Sequence, residues 1–77
     1  MNRSRDGIIA DLLSRAKEPV GKTALMYGAC ISFTQLNVYL NYLIERQLIE
    51  SEGGTWVITD NGKIFLRNYQ LVAESIA

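Results

Sequence analysis

Thr34, Gln35, Asn37 and Asn41 lie close together in the chain, and their side chains share one chemistry. Asparagine and glutamine amides can bond the major-groove edge of adenine bidentately, and threonine can touch a thymine methyl. Val38 adds an apolar contact among them. Reaction chemistry has far less to work with. The chain holds no histidine and one cysteine, which removes the commonest general base and metal ligand and any internal disulfide. The carboxylates are scattered, with no glycine-rich phosphate loop and no nucleophile beside a base. The expectation is a protein that is not an enzyme and needs no cofactor and no metal.

A helix must present those polar residues. In Ser32–Leu48, SFTQLNVYLNYLIERQL, the apolar residues Leu36, Leu40, Leu43 and Ile44 recur near a period of 3.6, with Leu48 closing the series. Ser32 and Gln35 fit a capping box, so the helix should start there. Its opposite face carries Thr34, Gln35, Asn37, Val38, Asn41 and Tyr42. Lys22 to Ala29 is a shorter helix with Leu25, Met26 and Ala29 inward, and Cys30-Ile31 is the turn between the two. Gly28 in its interior suggests that another helix crosses closely there. A short helix, a tight turn and a longer helix make a helix-turn-helix, whose second helix is the reading element and whose first crosses the DNA backbone. Lys22, at a helix start, can then meet a phosphate, with Thr23 beside it. The plain alternative is a solvated polar face with a capping lysine.

Ahead of this unit, Ser4 to Lys17 reads as a helix with Ile8, Ile9, Leu12, Leu13 and Ala16 on one side and Ser4 as its cap. Arg3 and Arg5 are read as a fraying terminus rather than a DNA-binding arm. Glu18-Pro19-Val20-Gly21 breaks the pattern. After Gln47 the period changes to two. Residues 48–52 and 55–59 are strands joined by Gly53-Gly54, a two-residue hairpin signal. Trp56 and Ile58 should share the inner face with Ile49, and Val57 should point outward. The last helix begins at Thr59-Asp60-Asn61-Gly62, where the Asn-Gly pair is a turn signal and helix entry, and continues to about Ser75, so that residues 60–76 form the C-terminal helix. Phe65, Tyr69, Val72 and Ile76 form one apolar stripe on it, with Ile64 and Leu71 beside that stripe.

The bulk numbers suit one small domain of 77 residues. No run of about 18 apolar residues exists to cross a membrane, and no hydrophobic signal region follows the first residues. A cytoplasmic protein is expected. Eight basic and eight acidic residues balance, so any positive footprint on nucleic acid must come from placement rather than net charge. Cys30 lies in Ala29-Cys30-Ile31 with no flanking base and reads as a small buried residue rather than a redox sensor. Arg46, Lys63 and Arg67 read as surface charges, Tyr39 as half-buried and Tyr42 as more exposed.

Several segments in order carry a resemblance: Lys22-Thr23-Ala24-Leu25-Met26-Tyr27, Ser32-Phe33-Thr34-Gln35-Leu36, Tyr39-Leu40-Asn41-Tyr42-Leu43, Leu48-Ile49-Glu50, and Ile58 through Leu66. Together they resemble the winged helix-turn-helix domain of archaeal transcriptional regulators, over nearly the whole chain. The resemblance implies a mostly helical α+β fold with three helices, a two-stranded wing and a C-terminal helix. It also implies a DNA-binding regulator, often a homodimer joined through that last helix. The chain departs from the pattern in having few bases on the outer face of the recognition helix, Cys30 where relatives often have asparagine, and a wing tip flanked by Glu50 and Glu52. These departures point away from tight non-specific phosphate binding.

The resulting expectation is sequence-specific binding of double-stranded DNA, with the recognition helix over residues 32–47 in the major groove. Lys22, Thr23, Ser32, Thr34, Gln35, Asn37, Val38 and Asn41 are its contacts. Ile64, Leu71, Val72 and Ile76 are expected at a homodimer interface, because the two apolar stripes of the last helix diverge by about 100° and cannot share one core. The competing arrangement lays this helix flat on the first and leaves a monomer. An alternative function, a protein-interaction module on the same scaffold, is suggested by the neutral face at Val38 and Tyr42 and the acidic wing.

Overall fold

The computed structural model describes residues 4–76. Arg3 and the side chain of Ile76 lie outside the described residues. The order is α1 (Arg5–Arg15), α2 (Lys22–Ala29), α3 (Phe33–Glu45), β1 (Ile49–Glu52), β2 (Thr55–Ile58) and α4 (Asp60–Ile76). This is the winged helix architecture expected from the sequence.

α1 is the hub, packing against α2, α4 and β2. Its Ile9, Leu12 and Leu13, with Ala16 at its C-cap, are buried together with Leu25 and Ala29 of α2 and Leu36, Leu40 and Leu43 of α3. Ser4 caps it, its hydroxyl accepting from the Gly7 amide at 2.9 Å. β1 and β2 pair antiparallel with Ile49 opposite Ile58 and Glu52 opposite Thr55. Gly53 and Gly54 both have positive φ, 57° and 83°, as the two-residue hairpin requires. Val20 bridges Trp56, each amide donating to the other's carbonyl, at 3.0 and 2.8 Å. Val20, between α1 and α2, therefore anchors the wing. Trp56 is only half-buried.

Helices α2 and α3 both end in Schellman motifs built without glycine. The Ile31 amide donates to the Met26 carbonyl and the Cys30 amide to that of Tyr27. At the end of α3, Leu48 donates to Leu43 and Gln47 to Ile44. Cys30 and Gln47 consequently sit at φ 57° and 60°, a conformation costing an ordinary residue about 1 kcal/mol. The same geometry corrects the expectation of a buried Cys30. The left-handed turn faces its side chain outward, and the thiol is exposed. Ile44 is also exposed rather than inward, since it follows Leu43 around the helix beyond the covered face.

α4 seats the Phe65–Tyr69 part of its stripe on the core, but its most deeply buried residues lie beside that stripe. Its buried residues are Gly62 and Leu66, with Phe65 and Tyr69 half-buried beside them. Asn61-Gly62 is the helix entry expected, but Gly62 already lies within the helix rather than in a turn. A Cβ there would run into the Leu48 backbone carbonyl and come within 2.6 Å of Ile58 Cγ1. The Asn-Gly pair marks a close helix-to-strand approach. Gly28 is crowded too, but by the Arg15 side chain of α1. Thr59 joins α3 to α4: its hydroxyl donates to the Gln47 carbonyl at 2.6 Å and accepts from the Gly62 amide at 3.0 Å.

Candidate nucleic-acid interface

The outer face of α3 rests on a well-satisfied start. The Ser32 hydroxyl accepts from the Gln35 amide at 3.1 Å, and the Gln35 side-chain carbonyl accepts from the Ser32 amide at 3.0 Å. Both residues were candidate contacts, and both spend an oxygen on the cap. Gln35 keeps its amide nitrogen for the outside. Beyond the cap, Thr34, Val38 and Asn41 are exposed, Val38 to 63%.

Asn37 and Lys22, expected as separate contacts, are joined. Lys22 Nζ donates to Asn37 Oδ1 at 2.9 Å, and both residues are partly buried. The same ammonium lies 5.3 Å from the ring centres of Phe33 and Trp56, within range of a cation–π attraction. The α2 start, the α3 start and the wing thus meet at this nitrogen. Thr23 is exposed beside it.

At the other end of α3 stand two arginines that the sequence reading set aside, Arg5 and Arg46. Arg5 belongs to the first turn of α1 and is no frayed arm. Its guanidinium stands 4.3 Å from the centre of the Tyr42 ring, and that of Arg46 stands at the same distance. Tyr42 is therefore half-buried rather than freely exposed. The spacing of Tyr42 and Arg46, one turn apart, was the available sign of half this cluster. The α1 half depends on tertiary packing. Arg5, Thr34, Gln35, Val38, Tyr39 and Tyr42 line an open, mostly apolar groove of about 320 Å³. The wing offers Glu50 and Glu52, both exposed, and no base.

The expected dimer residues Ile64, Leu71 and Val72 are exposed to 59, 55 and 56%. Their helix does lie against α1, and the Tyr69 hydroxyl stands close over Gly7, yet these three stay uncovered. Among the described residues, no three His, Cys, Asp or Glu side chains gather as metal ligands, and no helix is long and apolar enough to cross a membrane.

Against known proteins, residues 2–76 match the winged helix-turn-helix family. The chain belongs to the winged helix-turn-helix family. Comparison with curated proteins gives no match. Among solved structures, the chain is similar to Sso10a-2, described as a DNA-binding protein from Sulfolobus solfataricus. The two are 25% identical, with a TM-score of 0.78, and the likeness covers 96% of this chain and 85% of that one.

Proposed function

We propose that this winged helix-turn-helix protein binds double-stranded DNA in a sequence-specific way and regulates transcription. In this reading α3 enters the major groove, with Thr34, Gln35, Asn37, Val38 and Asn41 toward the bases. The observation that carries it is the placement of charge around that face. Lys22 stands at its start and the Arg5–Arg46 pair at its far end, so a chain of zero net charge still gathers cations beside its reading helix. Family membership and the DNA-binding description of the Sulfolobus neighbour support the same reading, and the neighbour's source agrees with the archaeal resemblance. Thr23 and the backbone at the α2 start lie toward phosphate, as the first helix of the motif does. The exposed Ile64, Leu71 and Val72 support a homodimer through α4, which would present two reading helices to half-sites about one DNA turn apart. The setting is the cytoplasm.

Selection from random duplex DNA at moderate salt tests the reading. A defined motif should emerge, and Asn41→Ala should relax one of its positions by about 1–3 kcal/mol. Arg46→Ala should weaken all sequences alike and lower the salt slope by about one. A second reading, a protein-interaction module, is favoured by the exposed Val38 and the apolar groove beside it. Failure to enrich any sequence would leave that module as the better account.

A further inference from the structure

The bond between Lys22 and Asn37 constrains what Asn37 can read. A free asparagine recognises adenine bidentately, its oxygen accepting from the N6 amino group and its nitrogen donating to N7. Here Lys22 Nζ sits 2.9 Å from Oδ1. An ammonium has donors only, so the amide must turn its oxygen toward Lys22 and its NH₂ away. The rings of Phe33 on α3 and Trp56 on the wing flank the ammonium as well, so the arrangement is built before any DNA arrives. Asn37 stands three residues after Thr34 and four before Asn41, both exposed, on the face that would meet the bases.

We propose that the Lys22–Asn37 pair makes this helix select guanine, and reject adenine, at the base pair Asn37 faces. The inference rests on the reading of α3 as the DNA-reading helix. The pair presents donors: the Asn37 NH₂ and the ammonium protons not spent on Oδ1. Guanine offers two acceptors in the major groove, N7 and O6. Adenine offers N7 but places its N6 amino group where O6 would be. An amino group approaching Asn37 Oδ1 would have to take that oxygen's second lone pair with a cation already on the first, donor crowding donor. Lys22 is thereby a specificity-determining residue that acts through Asn37 and through its own charge, beyond the phosphate contact expected of its position.

The test is selection from a random duplex library with the full chain and three variants, each checked for folding by thermal melting. Asn37→Ala locates the base pair concerned, as the position that becomes degenerate. The wild type should show guanine there. Lys22→Met keeps an apolar stem against the rings but removes the charge and the donors. It should free Asn37 to turn, shifting that position from guanine toward adenine by roughly tenfold while the rest of the motif stays. Asn37→Asp keeps the bond to Lys22 but replaces the outward NH₂ with an acceptor, so guanine should be lost. If Lys22→Met loses its fold, Asn37→Asp carries the test alone. Adenine at the Asn37 position of the wild type overturns the inference while leaving DNA recognition by α3 intact, as does an unchanged motif in a folded Lys22→Met. The absence of any motif in the wild type removes both.

Discussion

α3 and α4 are both two-faced helices, and both leave one face uncovered, but the two open faces differ in kind. On α3 the open face is chiefly polar, with Thr34, Gln35, Asn37 and Asn41 set among the exposed Phe33 and Val38. Water satisfies such a face, so it can stand open until a hydrogen-bonding partner replaces the water. On α4 the open face is Ile64, Leu71 and Val72. Water gives those side chains nothing, and covering them is favourable by roughly 25 cal/mol per Å². One face suits a partner that comes and goes, the other a partner that stays. The difference teaches that exposure alone does not mark an interface. The chemistry of the exposed atoms says what kind of cover it awaits.

The strongest way to break this contrast is to charge the α4 face. Leu71→Glu with Val72→Glu would bury four carboxylates across a two-fold dimer axis. Association should weaken on the order of a thousandfold, about 4 kcal/mol. Sedimentation should move from the dimer to the 8.7 kDa monomer mass, while circular dichroism stays that of the folded chain. A wild type already at monomer mass across micromolar concentrations would end the proposed pairing.

A smaller effect is expected at the root of the same helix. Gly62→Ala pushes a methyl into the Leu48 carbonyl and Ile58, neither of which is the loose end of a flexible side chain. Thermal or denaturant unfolding should show a loss of about 3 kcal/mol. A neutral result would mean that α4 is not held against the wing as closely as described. Smallest is the α3 start, where Ser32→Ala removes one half of the reciprocal cap. It should lower stability by about 1 kcal/mol and leave the association state unchanged, sharpening the division between the two helices.

Most of the fold was legible because local chemistry agreed with global packing. The Ser32–Gln35 box, the Gly53-Gly54 hairpin and the leucine spacing of α3 each specify a neighbour within a few residues. What escaped depends on atoms far apart in sequence. Leu66 is buried because α4 rolls its Gly62 side onto the wing, and a stripe count cannot see that close approach. Cys30 and Gln47 close their helices in a left-handed conformation that glycine usually signals, so neither showed its role. In the candidate site, the face of α3 was legible from Thr34 to Asn41. The bond from Lys22 to Asn37 and the meeting of Arg5 with Tyr42 were not, since each joins different helices. These unforeseen contacts also set the chemistry of the face most: one fixes the Asn37 amide with its oxygen on the Lys22 ammonium, and the other fixes Arg5 over the Tyr42 ring.

The hydroxyl of Thr59 links the end of α3 to the start of α4 through one donated and one accepted hydrogen bond. In a pair of chains joined through α4, this small group works as the pivot of a caliper. The long arms are clasped to each other, the reading tips hang from the pivots, and the gap between the tips is the half-site spacing. Thr59→Ser keeps both bonds and should keep the preferred spacing. Thr59→Val keeps the shape without them and should widen the range of spacings bound, which binding to a series of operators with stepped gaps would measure.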